Sequence, residues 1–284
     1  MNIIAKASLK IRKGLKDLRD GKIVGFTSGF ESLDRGVGRM EAGQVWLVGG
    51  YTGTGKSYFI LNMIDGIIDE GLAKMAIFST ELSIEAYVKR HVLMRSGLFD
   101  LQFRNNPKKY YEHVNKVMNE YVANRITKND IDIFGDITTF EQIEKSLKEY
   151  DLDKRPNIIF VDYMQELSIK GKQSEKDAMP ILAKEFKKLA GKYKVTIVLV
   201  SQINNGAQSS GDVGKLPTMP FSHGKEVGNT AHTAILLSRK KLEDKSYERI
   251  LTADVVKARN GSSGNWLKFE ILNGYKLLHI KKTW

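Results

Sequence analysis

A glycine-rich segment at residues 50–57 carries the residue types and the spacing that bind a triphosphate. It reads GYTGTGKS, in which two glycines separated by four residues precede a lysine and a serine. Such glycines let main-chain N–H groups turn towards phosphate oxygens, while the lysine reaches the β- and γ-phosphates and the serine hydroxyl binds Mg²⁺. The segment therefore predicts ATP and Mg²⁺ as ligands. The residues assigned to this phosphate-binding loop are Gly50, Thr52, Gly53, Thr54, Gly55, Lys56, Ser57 and Tyr58.

Two acidic residues follow other apolar runs and are candidates for the chemistry of hydrolysis. Asp162 ends the run 158–161, where a carboxylate can hold Mg²⁺ together with Ser57. Glu81 follows the run 75–78, where a carboxylate can polarise an attacking water molecule. Each residue also has a structural interpretation, since Asp162 could cap a turn and Glu81 could complement a helix dipole.

Three further polar residues complete the candidate set. Gln202 follows the apolar run 196–200, so its amide could sense the γ-phosphate, or it could be a solvated side chain. Lys257 and Arg259 precede Asn-Gly, which is a signal for a hairpin turn. Cations at the tip of a hairpin could reach the γ-phosphate of a neighbouring subunit, and an arginine in that role contributes roughly 10³–10⁵ in rate.

The elements that must position these residues alternate between apolar strands and amphipathic helices. Continuous apolar runs suit strands that are buried on both faces, as in a parallel sheet covered by helices. From residue 234 onward the pattern changes to short strands joined by turns, which predicts antiparallel hairpins. The fold class expected is α/β, a mostly parallel sheet flanked by helices. Expected strands are 45–48, 75–78, 131–134, 158–161, 196–200, 234–237, 250–257, 266–271 and 275–280, and expected helices are 58–70, 82–95, 139–150 and 179–193.

Three other segments are distinctive. Residues 103–125 are polar and helix-prone, which suggests a peripheral helical insertion. Stretches 168–176 and 204–228 have loop composition and follow strands at the ligand side of the sheet. Residues 1–24 predict a basic amphipathic helix that docks either on its own core or on a neighbouring subunit. Its acidic residues and lack of Ser and Arg enrichment argue against a transit peptide.

Composition limits the class of protein. The chain has 284 residues, 42% hydrophobic and 27% charged, which suits a globular protein with a full core. It has no cysteine, which excludes disulfides and thiolate chemistry. No apolar run reaches the roughly 18 residues of a membrane helix. The absence of cysteine fits a reducing cytosol, and the expected location is cytoplasmic. The net charge of +12 favours a polyanionic partner, although a lysine-rich surface alone could account for it.

Five segments in a fixed order resemble one known family. Together they span most of residues 25–284, and they resemble the C-terminal, RecA-like P-loop motor domain of DnaB-type replicative helicases, the hexameric branch of the RecA superfamily. The matching segments are TSGFESLD at 27–34, FSTELS at 78–83, FVDYMQEL at 160–167, SQIN at 201–204 and KARNG at 257–261.

This resemblance implies a homo-hexameric ring that moves 5′ to 3′ on single-stranded DNA and unwinds duplex during replication. ATP would bind at subunit interfaces, Glu81 would act as catalytic base, and Lys257 and Arg259 would act in trans. Residues 1–24 would form a linker helix on the next subunit and residues 25–284 the motor domain. Primase and a loader protein are candidate partners. The candidate DNA-phosphate contacts on the two loops are Lys170, Lys172 and Lys215.

The sequence also departs from the family pattern. No segment corresponds to the primase-binding N-terminal domain, and a motor of this size leads us to expect a phage or mobile-element protein. The stretch KEVGNTAHTA at 225–234 keeps little of the family's pattern beyond its spacing. An alternative function is therefore a RecA-type or clock-type DNA-binding ATPase that hydrolyses ATP without separating strands.

Overall fold

A computed structural model describes residues 3–20, 24–121, 131–170, 175–203, 225–243, 246–264 and 266–280. These residues build a nine-stranded sheet with helices on both faces. The strands are β1 (Val45–Gly50), β2 (Met75–Ser79), β3 (Ile131–Phe134), β4 (Ile158–Asp162), β5 (Thr196–Gln202), β6 (Thr233–Ser238), β7 (Ile250–Ala258), β8 (Trp266–Ile271) and β9 (Leu277–His279).

The strand order is β3-β2-β4-β5-β1-β6-β7-β8-β9. The first six strands in that order pair in parallel, and β6 through β9 pair antiparallel. This order places β1 between β5 and β6, so that the carboxyl ends of β1, β2, β4 and β5 lie along one edge of the sheet. Because ligands of open α/β sheets bind at this edge, the topology brings the predicted site residues into one region.

The helices follow the sequence order. They are α1 (Ile3–Arg19), α2 (Glu31–Val37), α3 (Lys56–Glu70), α4 (Ile84–Arg95), α5 (Asp100–Asn105), α6 (Pro107–Tyr121), α7 (Phe140–Glu149), α8 (Glu175–Tyr193) and α9 (Lys225–Thr230), with 3₁₀ turns at Met164–Glu166 and Asn273–Tyr275. The mostly parallel sheet with antiparallel C-terminal strands confirms the expected fold class.

Several boundaries differ from the sequence expectation. The helical insertion expected at 103–125 consists of two helices, of which α5 already begins at Asp100, and residues 122–125 lie outside the described residues. Pro107 begins α6 because proline suits the first helical position. The short helices α2 and α9 were not expected, and α9 shows that the loop predicted at 204–228 ends earlier, at Lys225. The rest of that loop lies outside the described residues. The last strand is shorter than 275–280, because a 3₁₀ turn occupies its start.

Alternate residues of the central strands pack on opposite faces of the sheet. Trp46 and Val48 join the core under α3, whereas Val45 and Leu47 join the core under α8. All six residues of β1 are buried, which explains why this strand reads as a continuous apolar run. The burial of both faces fixes β1 in place, and β1 carries the glycine-rich loop at its carboxyl end.

The segment before α2 packs closely against α3. Gly29 has a φ of +87°, and a Cβ built there would lie 2.4 Å from the Met63 carbonyl oxygen. A Cβ built at Gly66 would in turn lie 2.4 Å from the Gly29 Cα. Asp34 fixes the same segment by accepting hydrogen bonds from the Thr27 hydroxyl (2.6 Å) and the Ser28 amide (2.8 Å). The helix that follows the glycine-rich loop is therefore held by backbone-to-backbone contact.

We predict that Gly66→Ala destabilises the protein, although alanine normally stabilises a helix. The added methyl group has no space beside the Gly29 backbone, and overpacking of this kind costs about 1–3 kcal/mol. The matched control is Gly191→Ala in α8, where a Cβ would meet nothing within 4 Å. We expect that variant to be stabilised by about 0.5–1 kcal/mol. Denaturant unfolding measures both, and equal effects of the two substitutions would contradict the contact.

Candidate nucleotide-binding site

The glycine-rich loop connects the end of β1 to the start of α3. Gly53 and Gly55 have φ values of +81° and +99°, which side chains with a Cβ rarely adopt. A Cβ at Gly50 would lie 2.7 Å from the Thr54 hydroxyl oxygen, which itself donates to the Tyr51 carbonyl at 2.8 Å. The loop thus turns tightly from strand to helix, and the first N–H groups of α3 have no partner within the helix. This is the shape of a phosphate cradle.

Lys56 is the first residue of α3 and folds back over the loop. Its ammonium donates to the carbonyl oxygens of Gly50 (2.9 Å) and Tyr51 (3.0 Å). Burial lowers the pKa of Lys56, while the nearby carboxylates of Asp162 and Glu81 act in the opposite direction. The ammonium is therefore hydrogen-bonded to the loop, and the effect of burial on its pKa outweighs that of the two carboxylates.

Asp162 ends β4 and is only 6% exposed. Burial raises the pKa of its carboxyl group, against a hydrogen bond with Ser57 and the positive charges of Arg90 and Lys56. The main chain is held by Thr80, whose amide donates to the Asp162 carbonyl at 3.0 Å. A buried carboxylate beside a serine hydroxyl is a set of oxygen donors that suits Mg²⁺.

Glu81 and Gln202 border the same cleft, which has a volume of about 390 Å³. Gln202 donates from Nε2 to the Thr52 hydroxyl at 2.6 Å, so its amide lies directly on the loop. Gln165 donates a hydrogen bond to the carbonyl oxygen of Gln202 at 3.0 Å, which fixes the main chain at the end of β5. The lining residues are Thr52, Gly53, Gly55, Lys56, Ser57, Tyr58, Glu81, Arg90, Asp162, Tyr163, Gln202, Arg239 and Tyr275.

Four residues of the cleft were not singled out in the sequence: Arg90, Tyr163, Arg239 and Tyr275. Arg90 lies on α4, and its guanidinium is 5.7 Å from the ring centroid of Tyr58. Tyr275 stacks on Tyr58 with ring centroids 4.0 Å apart. Arg239 directly follows β6, so its place at the carboxyl end of an apolar run could have identified it as a site candidate from the sequence. Arg90 is one cation among several on its helix, and nothing in the pattern distinguishes it.

Lys257 and Arg259 do not line this cleft. Lys257 is part of β7, so the expectation that both cations stand at the tip of a hairpin is wrong for Lys257. Its ammonium donates to the carbonyl oxygens of Gly228 (3.0 Å) and Asn229 (2.8 Å). The Arg259 guanidinium also donates to the Asn229 carbonyl, at 3.3 Å. Burial and the charges of Arg259 and Lys187 lower the pKa of Lys257 to about 8.

Strand register places these cations at the opposite edge of the sheet from the glycine-rich loop. The amide of Arg259 donates to the His232 carbonyl, and the amide of His232 donates to the Val45 carbonyl. Val45 begins β1 and Gly50 ends it. The end of β1 beside which Arg259 lies is five residues from the end that carries the glycine-rich loop, which corresponds to about 16 Å at 3.3 Å per residue.

The proposed DNA contacts fall mostly outside the described residues, as Lys172 and Lys215 do. Lys170 is described and exposed, and its amide donates to a Glu141 carboxylate oxygen at 3.2 Å. Within the described part of the chain, no helix is long and apolar enough to cross a bilayer.

The amino-acid sequence is similar to those of known proteins. The chain is 22% identical over 253 residues to the replicative DNA helicase DnaC of Bacillus subtilis and 24% identical over 251 residues to the replicative DNA helicase DnaB of Geobacillus stearothermophilus. Each match covers 87% of this chain and 54% of the relative. The chain therefore spans about half the length of these curated relatives.

Solved structures share the fold. A DnaB-like replicative helicase, studied with its interactions with primase, superposes with a TM-score of 0.81 at 19% identity, covering 99% of this chain and 68% of that one. A solved ATPase domain superposes with a TM-score of 0.84 at 19% identity, covering 99% of this chain and all of that one. The sequence model of the DnaB-like helicase C-terminal domain matches residues 25–273, and the chain belongs to that family.

Proposed function

We propose that this chain is the motor of a ring-shaped, ATP-driven DNA helicase that moves 5′ to 3′ on single-stranded DNA and unwinds duplex in replication. The observation that supports this proposal most strongly is the convergence of Lys56, Glu81, Asp162 and Gln202 on one cleft beside the glycine-rich loop. Those four residues come from α3, β4, β5 and the segment between β2 and α4, and a DnaB-like replicative helicase shares the fold that brings these parts of the chain together.

In this proposal each residue of the cleft has a separate task. The loop and Lys56 bind the β- and γ-phosphates, and Ser57 and Asp162 hold Mg²⁺, which neutralises charge on the phosphate oxygens when it is bound. Glu81 is exposed at the rim and accepts a proton from the attacking water. Gln202 is hydrogen-bonded to Thr52 on the loop, and its amide senses the γ-phosphate.

Three residues that line the cleft suit a nucleobase. Tyr58 and Tyr275 form a stacked aromatic pair, and the guanidinium of Arg239 lies 5.3 Å from the ring centroid of Tyr247. Flat aromatic rings and a guanidinium are surfaces on which a base stacks favourably. We propose that these groups hold the base of the nucleotide, with its phosphates on the loop.

Lys257 and Arg259 are proposed to serve the cleft of a neighbouring subunit. Their separation of about 16 Å along the strands from their own loop exceeds the reach of either side chain. A head-to-tail ring joins two different surfaces of each subunit, and in this proposal the surface with these cations meets the neighbour's cleft and places them at its γ-phosphate. The site would then be complete only in an assembly, which the family resemblance gives as a homo-hexamer.

Other parts of the proposal rest on charge and exposure. The net charge of +12 suits single-stranded DNA, which Lys170, Lys172 and Lys215 would contact. On α1 the apolar side chains of Ile4 and Leu15 are 74% and 63% exposed, which suits docking on a neighbouring subunit. Primase and a loader are proposed partners, and the cytoplasm is the proposed location.

The proposal predicts ATP-dependent unwinding of forked duplex DNA that has a 5′ single-stranded tail. Lys56→Ala should abolish unwinding, because the β- and γ-phosphates of ATP lose their contact with the lysine ammonium. Lys145→Ala is the matched control, since this lysine is 77% exposed on α7 and should leave the rate unchanged. A Lys56→Ala protein that still unwinds would refute the assignment. DNA-stimulated hydrolysis without strand separation would instead support the alternative, an ATPase that does not unwind.

Action in trans predicts complementation between two inactive proteins. Arg259→Ala subunits retain an intact loop, and Lys56→Ala subunits retain an intact arginine. In randomly mixed rings about a quarter of the interfaces would pair an intact loop with an intact arginine, so ATPase activity should rise to at most that fraction of the wild-type rate. Each variant alone is the control. No recovery, in rings shown by mass spectrometry to be mixed, would contradict a role in trans.

A further inference from the structure

His232 lies where three strands meet at the amino edge of the sheet. Its amide donates to the Val45 carbonyl at 2.7 Å, and its ring nitrogen Nδ1 accepts from the Val45 amide at 3.0 Å. Its own carbonyl accepts from the amide of Arg259 at 3.0 Å. One residue therefore links the start of β1 to the main chain of the proposed trans-acting arginine.

The bond to the ring requires a neutral imidazole. An imidazole nitrogen accepts a hydrogen bond only while it carries no proton, and both nitrogens of a charged ring are donors. Because the Val45 amide is a donor, Nδ1 must be unprotonated in this arrangement. A protonated ring would place one N–H against another and break the hydrogen bond between the ring and the Val45 amide, which is the one of these three bonds that titrates.

The surroundings of the ring also oppose protonation. The charged groups that face it are Lys257 on β7, Arg259 just after β7 and Lys187 on α8, and all three are cations. Burial, followed by these charges, lowers the pKa of His232 below its ordinary value, although a smaller effect of the Val45 main chain acts in the opposite direction. A proton on the ring would therefore add a fourth positive charge to a cluster that already lacks a facing carboxylate among the described residues.

We propose that His232 is a positioning residue for Arg259, and that protonation of its ring releases the Arg259 end of β7 and switches off hydrolysis at the neighbouring site. The proposal rests on the action of Arg259 in trans. It adds a control by pH, since the hydrogen bond between the ring and the Val45 amide forms with the ring neutral and is lost with the ring charged. The stability that this bond provides is full above the ordinary histidine pKa of about 6.5 and declines as the pH falls below it, because the unfolded chain then binds the proton more readily.

Three variants test the proposal through the pH profile of ring ATPase. In His232→Asn the amide oxygen takes the place of Nδ1 as acceptor and does not titrate, so activity at pH 7.5 should stay within about twofold and its loss between pH 6.5 and 5.5 should be smaller than in the wild type. In His232→Lys a permanent charge replaces the acceptor, and we expect a loss of about 10- to 100-fold at pH 7.5, as for other displaced catalytic groups. His113→Asn on α6 is the control for histidine titration and should leave the profile unchanged.

Mixed rings locate the defect. His232→Lys subunits keep an intact loop, so adding Lys56→Ala subunits, which supply a correctly held Arg259, should restore activity. Parallel mixing of Arg259→Ala with Lys56→Ala separates the two claims, because failure there refutes action in trans itself. If that control recovers, the proposal is overturned by a His232→Lys protein with wild-type turnover, by a His232→Lys mixture that does not recover, or by a His232→Asn profile identical to the wild type. Should His232→Lys fail to fold, the His232→Asn profile alone decides the matter.

Discussion

The buried carboxylate of Asp162 is the interaction on which the arrangement of the cleft depends. Burying a charge is costly unless other groups compensate it. Here the Ser57 hydroxyl and the charges of Arg90 and Lys56 compensate only in part, since burial still raises the carboxyl pKa. Lys56 is in the complementary position, because burial lowers its pKa while Asp162 acts against that shift. Each charge thus favours the ionised form of the other, and Asp162 ends a strand whose residues are all buried.

The topology of the sheet explains why one chain would hold only part of the site. The parallel strands direct the loop, Glu81, Asp162 and Gln202 to the carboxyl edge. The change to antiparallel pairing after β6 returns the chain to the amino edge. There the side chains of Lys257 and Arg259 donate hydrogen bonds to the carbonyl oxygens of residues 228 and 229. In that position the cations have no carboxylate partner among the described residues that face them, which suits a phosphate supplied by another subunit.

Much of this could be predicted from the sequence, for identifiable reasons. The buried strands read as continuous apolar runs, so their positions were predicted to within one or two residues. The glycine-rich loop has a spacing that few other structures require. Helices α2 and α9 were missed because each is too short to show a periodic pattern.

The missed residues of the cleft depend on tertiary structure. Arg90 lines the cleft because α4 packs beside α3, the helix that follows the glycine-rich loop. Tyr275 lines it because its ring stacks on that of Tyr58, which is more than two hundred residues away in the sequence. His232 resembles an ordinary loop histidine in the sequence. Its importance follows from the register that sets Val45 on one side of it and Arg259 on the other.

The most direct test of the central claim, that hydrolysis requires two subunits, is the ATPase rate per chain measured over a dilution series, with the mass of the particles determined on the same samples. If the cleft is completed by a neighbour, the turnover per chain should follow the fraction of chains in rings and approach zero in dilute, monomeric samples. A turnover per chain that stays constant as rings dissociate into monomers would contradict the claim.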